Sequence, residues 1–231
     1  MPSSVVHAAL AVALAVGLLG RFYDRRALAV VLVVVVVPEV DTALGLVIAG
    51  AHRTVLHTMV LSAVAAPLLY LETTRERSVI RGRWGARGVR IAWVGLLVHT
   101  FAHIALDWTH LEGINLLWPV LDRFFALEGE VYLSASEGFV QTFVDVGRDP
   151  ETGRSVIDAG QGGTRAETHV SNPAQPDPEP DPGPVDRRFP IAVRGWQLHL
   201  LLTGVFVVAA RRLQSDRLTR CGDGSDSVSD D

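Results

Sequence analysis

The chain has 231 residues, 48% of them hydrophobic, a mean hydropathy of +0.27 and a formal charge of −4. That is too apolar for an ordinary soluble domain and carries no cationic surplus for holding nucleic acid. All 21 basic residues are arginine, and the single cysteine, Cys221, excludes an intramolecular disulfide and a cysteine-based zinc knuckle.

Five apolar blocks follow one another. Residues 3–20 are broken only by His7, and residues 27–51 only by Glu39, Asp41 and Thr42. Residues 54–71, 91–106 and 191–210 complete the set. Each is about long enough to cross a hydrocarbon core of roughly 30 Å, the first and fourth being short for it. A soluble α/β protein would bury "AVVLVVVVV" as a parallel strand. Five such blocks in one small chain point instead to an all-α integral membrane protein. We expect about five transmembrane helices and a partly β, Pro-rich extramembrane loop.

No basic residue precedes Arg21, so the first block reads as a retained span and not a cleaved signal peptide. The links 21–26 and 72–90 and the stretch 211–220 hold 13 of the 21 arginines. The positive-inside rule places those three segments in the cytoplasm, with the N-terminus outside and the C-terminus inside. Residues 1–127 then form a membrane-embedded core of four spans plus a re-entrant segment. Residues 128–190 form an extracytoplasmic loop, 191–212 the last span, and 213–231 an acidic, disordered cytoplasmic tail.

The loop holds 12 acids against 5 arginines. Its first part, "VYLSASEGFVQTFVDVGRDPETGRSVIDAG", alternates around turn residues and predicts one or two short hairpins. "NPAQPDPEPDPGP" is an extended acidic spacer. Dense carboxylates without lysine fit adaptation to high salt, and a GC-rich codon bias would equally favour arginine.

Ionisable groups inside spans are costly and mark pairs or functional sites. Four blocks contribute them: His7; Glu39 and Asp41; His52 and His57; and His99, His103 and Asp107. Neutral imidazole and carboxylate are ligands for zinc, manganese or iron, and a cation would offset the burial of three acids. In "HTFAHIALDWTH", a regular helix sets His99, His103, Asp107 and His110 within an arc of roughly 80°. Pro38 is expected to break the second block, because Glu39 and Asp41 both point inward only if the backbone unwinds. Read as helix, "HRTVLH" pairs Arg53 with His57 and turns His52 away by roughly 140°. Arg53 beside such a cluster would grip a phosphate oxygen.

At these residues the chain resembles the YdjM-like family of membrane-bound predicted metal-dependent hydrolases. That family carries an N-terminal histidine, a P-D-x-D element, an H-R-G-x-T-H-S element and a block close to S-H-x-x-x-D-x-x-T-x-x-G-x-x-L-L-W-P. Here these are His7, "PEVD" at 38–41, "HRTVLHT" at 52–58 and "AHIALDWTHLEGINLLWP" at 102–119. Glu39 stands where the family has Asp, and "HRTVLHT" lacks the usual glycine. His99 and His110 fall outside the pattern. The family is in turn similar to zinc-dependent phospholipase C and P1-type nucleases, an analogy of fold that implies phosphoester hydrolysis.

The expectation is therefore a membrane-bound metallohydrolase using metal-activated water on a phosphoester of a lipid or lipid-linked substrate. His7, Glu39, Asp41, His52, His57, His103 and Asp107 would hold one to three divalent ions, zinc first and manganese second. Glu39 or Asp41 would serve as general base, and Arg53 would neutralise charge on phosphate. A metal or proton transport protein would need polar groups along the whole membrane depth. A non-catalytic assembly protein would use the same residues only for helix pairing, for which seven are excessive.

Overall fold

The computed structural model describes residues 3–48, 50–110, 112–148, 153–167, 191–192 and 194–223, with side chains in the last helix to 213. The Pro-rich spacer and the end of the tail lie outside the described residues. The chain is mostly helical. Among the described residues, three helical stretches suffice by length and composition to cross a membrane: Ser4–Phe22, Arg25–Leu44 and Val79–Trp108. Met59–Thr74 is a shorter apolar helix. Its 16 residues rise about 24 Å, less than a hydrocarbon core of about 30 Å.

Helix α1 (Ser4–Leu19) buries Val6, His7, Ala11, Ala15 and Leu19, mostly one turn apart. Helix α2 (Arg25–Val36) buries Ala27, Val31 and Val35 at the same spacing. These stripes and Val94, Val98 and Ala102 from the fourth apolar block form one core. Three of the other valines of α2, Val30, Val33 and Val36, face outward, as bilayer-facing residues do, while Val34 is half-buried. Asp24 caps α2 by accepting from the Ala27 N–H at 2.8 Å. That hydrogen bond, opposed by burial and aided by Arg87, holds the Asp24 carboxyl below its usual value.

Pro38 ends the regular helix as expected, but the chain tightens and does not unwind. A 3₁₀ turn covers Val37–Val40, and a single helical turn, α3 (Asp41–Leu44), follows. The third block starts its helix late: residues 54–58 are turns, and α4 (Met59–Thr74) begins after Thr58, whose hydroxyl accepts from the Val60 N–H at 3.2 Å. The fourth block starts early, since α5 (Val79–Val98) takes in much of the expected arginine-rich link and bends at Gly85 (φ +63°). From His99 to Ile104 the helix widens into a π-turn before α6 (Ala105–Trp108).

The loop holds two antiparallel hairpins, β1 (Val131–Ser134) with β2 (Gly138–Gln141) and β3 (Asp145–Arg148) with β4 (Ser155–Asp158). Helix α7 (Gly195–Asp223) extends past Leu213 into the segment expected to be disordered, because "RRLQSDRLTR" is rich in good helix formers. It packs closely on α1. A Cβ at Gly204 would lie 2.8 Å from the Ala9 carbonyl oxygen, so only glycine lets these backbones meet.

The bundle is polarised. At one end Arg87 pairs with Asp24 at 2.5 Å, Arg90 donates to the Leu18 carbonyl and Arg211 to the Gly20 carbonyl. His7 lies 11 residues earlier on α1 than Leu18, about 17 Å away along the axis. The histidines and carboxylates gather at that opposite end.

Candidate metal centre

Residues 51–58 do not form a helix. Arg53 adopts a left-handed backbone (φ +58°), rare for a side-chain-bearing residue, and costs about 1 kcal/mol there. Its surroundings hold it: the Asn115 N–H donates to the Arg53 carbonyl at 3.0 Å, and the Met59 N–H donates to the Leu116 carbonyl at 2.9 Å. The Thr58 hydroxyl lies 2.9 and 2.8 Å from the carbonyl oxygens of Leu116 and Trp118. Gly113 (φ +63°) permits the turn, because a Cβ there would sit 2.1 Å from the Phe125 carbonyl oxygen. The "GINLLWP" block therefore clamps "HRTVLHT" in place. Buried Asn115 is the residue that sequence reasoning missed; a polar residue amid "INLLW" was the available signal.

This turn overrides the helical arithmetic for 52–57. His52 and His57 are not turned apart but converge on Asp41. Each presents Nδ1 to one of its carboxylate oxygens, at 3.0 and 2.7 Å respectively. A carboxylate only accepts, so in the neutral rings both Nδ1 atoms carry the hydrogen and both Nε2 atoms are bare. His7 is set the same way, its Nδ1 2.8 Å from the Ala102 carbonyl oxygen. Fixing one ring nitrogen so that the other is free is how proteins orient a metal-binding imidazole.

His103 Nδ1 has no partner among the described residues, so its Nε2 either donates a hydrogen to the bare Nε2 of His57 or is itself bare. His57 Nε2 is 2.9 Å from His103 Nε2. Asp107 Oδ2 lies 3.3 Å from the first and 3.6 Å from the second. A point equidistant from these three atoms is about 1.9 Å from each, close to the about 2.0–2.2 Å of zinc–imidazole and zinc–carboxylate bonds. Three lone-pair donors this close repel unless a proton or a cation lies among them. Asp107 Oδ1 turns the other way, 3.4 Å from His7 Nε2 and 3.6 Å from Arg53 Nη2. One ligand atom each of His7, Glu39 and His103 also lie within 4.8 Å of one another, so His103 belongs to two possible donor groups. Glu39 accepts from the Ser4 hydroxyl at 3.2 Å.

His7, Asp41, His52, Arg53, His57, His103 and Asp107 are buried, each with at most 3% exposure. Such density of ionisable groups is untenable without charge compensation. Among the described residues, several buried atoms also lack a hydrogen-bond partner: His52 Nε2, His103 Nδ1, Asp107 Oδ1, and Nε and Nη2 of Arg53. The donor chemistry and these orphaned atoms fit a divalent ion. His57, His103 and Asp107 could hold one directly, His7 and Glu39 could extend the set, and Asp41 orients His52 and His57.

The remaining expected residues separate. The π-turn breaks the regular stripe, so His99 lies beside the centre, its ring 6.3 Å from that of His103. His110 lies past α6 and is half-buried. Asp41→Asn tests the orienting role. It should lower metal affinity about 10- to 100-fold while leaving the helical circular dichroism unchanged, as loss of an outer partner does. Competition with a fluorescent chelator checks this.

A family model described as "YdjM inner membrane protein" matches residues 1–160. Among curated proteins, the chain is 31% identical over 136 residues to "Inner membrane protein YbcI" of Escherichia coli (strain K12). That match covers 54% of this chain and 73% of the relative. No solved structure gives a significant match.

Proposed function

The chain belongs to the YdjM inner membrane protein family, and from that premise we propose that it is a membrane-bound metal-dependent hydrolase of a lipid or lipid-linked phosphoester. The observation that carries this reading is the facing triangle of His57 Nε2, His103 Nε2 and Asp107 Oδ2. A divalent ion held there, zinc or manganese, would acidify water toward neutrality and polarise the phosphoester.

The chain's own residues supply the rest. Asp41 and the Ala102 carbonyl keep the Nδ1 hydrogens of His57 and His7 in place, so their Nε2 atoms stay available as ligands. Glu39 is half-buried and, among the described residues, accepts a hydrogen bond from Ser4, with carboxylate capacity left to take a proton as general base. Arg53 turns its Nε–Nη2 edge, the two-pronged edge that suits a phosphate, toward Asp107 Oδ1 at 3.6 Å, an ion pair in which neither nitrogen makes a hydrogen bond among the described residues. Clustering at one end of the bundle also favours a reaction centre over a transport path, which requires groups along the whole depth. The arginine end faces the cytoplasm in this reading, which puts the centre in the outer half of the bilayer, with α4 and α7 completing five spans.

Protein in mixed micelles, supplied with zinc or manganese, should release phosphate or phosphomonoester from a panel of lipid and polyprenyl phosphoesters. His103→Ala should reduce that release at least about 100-fold, the scale of losing a principal transition-state contact. Equal turnover by His103→Ala and wild type would sink the assignment.

A further inference from the structure

A cavity of about 400 Å³ lies at the arginine end of the bundle, between the end of α1 and the middle of α5. Arg21 and Arg90 line it together with Leu19, Phe22, Val89 and Trp93, and no acidic residue does. Both cations are held in place without being neutralised. Arg90 Nε donates to the Leu18 carbonyl at 2.7 Å, and its two terminal nitrogens make no hydrogen bond among the described residues. Arg21 lies over the Phe22 ring, 4.8 Å from its centroid, and pairs with no carboxylate among the described residues. The neighbouring Arg87 differs, because Asp24 meets its charge at 2.5 Å. Arg211 adds a third cation at the rim, with Nη2 3.4 Å from the carbonyl oxygen of Gly20, which also lines the cavity.

We propose that this cavity binds the phosphate head of an anionic phospholipid, at the opposite end of the bundle from the metal centre. Three observations select that occupant. The first is charge: two guanidinium groups with unused N–H donors face a space that no carboxylate shares, which suits a phosphate. The second is depth. Ser4–Phe22 is long and apolar enough to cross a membrane, and the cavity sits at its last turn, the level at which lipid phosphates lie. The bond from Arg90 to the Leu18 carbonyl fixes α5 at that same level. The third is the apolar share of the lining. Leu19, Val89 and Trp93 match the glycerol and first chain carbons of a lipid, whereas a free phosphate ion would leave them against water. None of the metal-centre residues lines this cavity, so the inference stands apart from the hydrolase reading.

Lipid-depleted full-length protein in nonionic micelles is titrated with phosphatidylglycerol, phosphatidylcholine or inorganic phosphate, and the bound species are counted by native mass spectrometry. One phosphatidylglycerol should bind at least about tenfold more tightly than phosphatidylcholine. A basic residue at a membrane surface contributes about a fivefold factor to such an affinity. Arg21→Gln should therefore weaken phosphatidylglycerol binding about fivefold, and Arg21→Gln with Arg90→Gln about 25-fold. Arg21 makes no hydrogen bond among the described residues, so its single substitution reads the site even if the loss of Arg90 loosens α1 from α5. Arg83 is the control: it is exposed on α5, lies over the Trp84 ring and does not line the cavity. Arg83→Gln should change the affinity less than about twofold. Equal losses with Arg83→Gln and Arg21→Gln, or no loss in the double variant, would overturn the proposal, because diffuse surface charge would then account for the binding. Inorganic phosphate that displaces the lipid at equal concentration would overturn it as well, since the cavity would then take a free anion.

Discussion

Asp107→Asn should leave purification with about a tenth or less of the metal that the wild type retains. The carboxylate faces His57 and His103 with Oδ2, and His7 and Arg53 with Oδ1, so one residue serves both sides of the centre. Asparagine keeps the shape but loses the charge, and its amide nitrogen would aim a donor at an imidazole lone pair or at Arg53. The loss should exceed the about 10- to 100-fold expected for Asp41→Asn, since Asp41 touches imidazoles and not the shared point among the Nε2 atoms. Elemental analysis with independent protein quantification measures it. Equal zinc and manganese in both proteins would remove Asp107 from the ligand set. Protein in which neither ion is retained or taken up would remove the centre altogether.

Arg53 should matter for turnover and not for metal retention. Its side chain is fully buried. Nη1 donates to the Gly113 carbonyl at 3.1 Å and to Glu112 Oε2 at 3.4 Å, while Nε and Nη2 lack a hydrogen-bond partner among the described residues. A buried cation with one edge fixed and the other held only by a 3.6 Å ion pair to Asp107 Oδ1, without a hydrogen bond, has donors left for an incoming oxyanion. Arg53→Lys keeps the charge but loses the two-pronged edge, and should lower kcat/KM for a phosphoester about 100-fold. Arg53→Gly supplies the control for folding. Glycine adopts φ +58° freely, so the turn should persist while activity falls at least as far. If Arg53→Gly unfolds while Arg53→Lys is fully active, the side chain is structural: its charge holds the turn to Gly113, Glu112 and Asp107 and does not act on substrate.

Class, membrane residence and the candidate residues were legible in the sequence, because each rests on local information. Burial of apolar surface sets hydropathy in blocks, and a polar residue inside such a block is visible by contrast. The hairpins were legible too, since alternation and turn residues act over a few positions. Helix ends and relative orientations were not. A period of about 3.6 residues assigns His99, His103, Asp107 and His110 to one stripe, yet the π-turn at 99–104 adds its extra backbone width in mid-stripe. The same arithmetic turned His52 away from His57. The clamp from Asn115 and Leu116, 57 or more residues downstream, replaced that helix with a left-handed turn and brought both rings onto Asp41.

The sequence by itself thus determined that acids and imidazoles are buried in a membrane protein, and which ones. Only the tertiary structure decided their division of labour: Asp41 as the holder of two rings, Asp107 as the group shared between histidines and Arg53, and Arg53 with one edge free of hydrogen bonds among the described residues. The physical reason is range. Desolvation is a property of each residue and its neighbours in the chain, whereas hydrogen-bond direction and donor-to-donor distance depend on backbone segments that meet only when the helices pack.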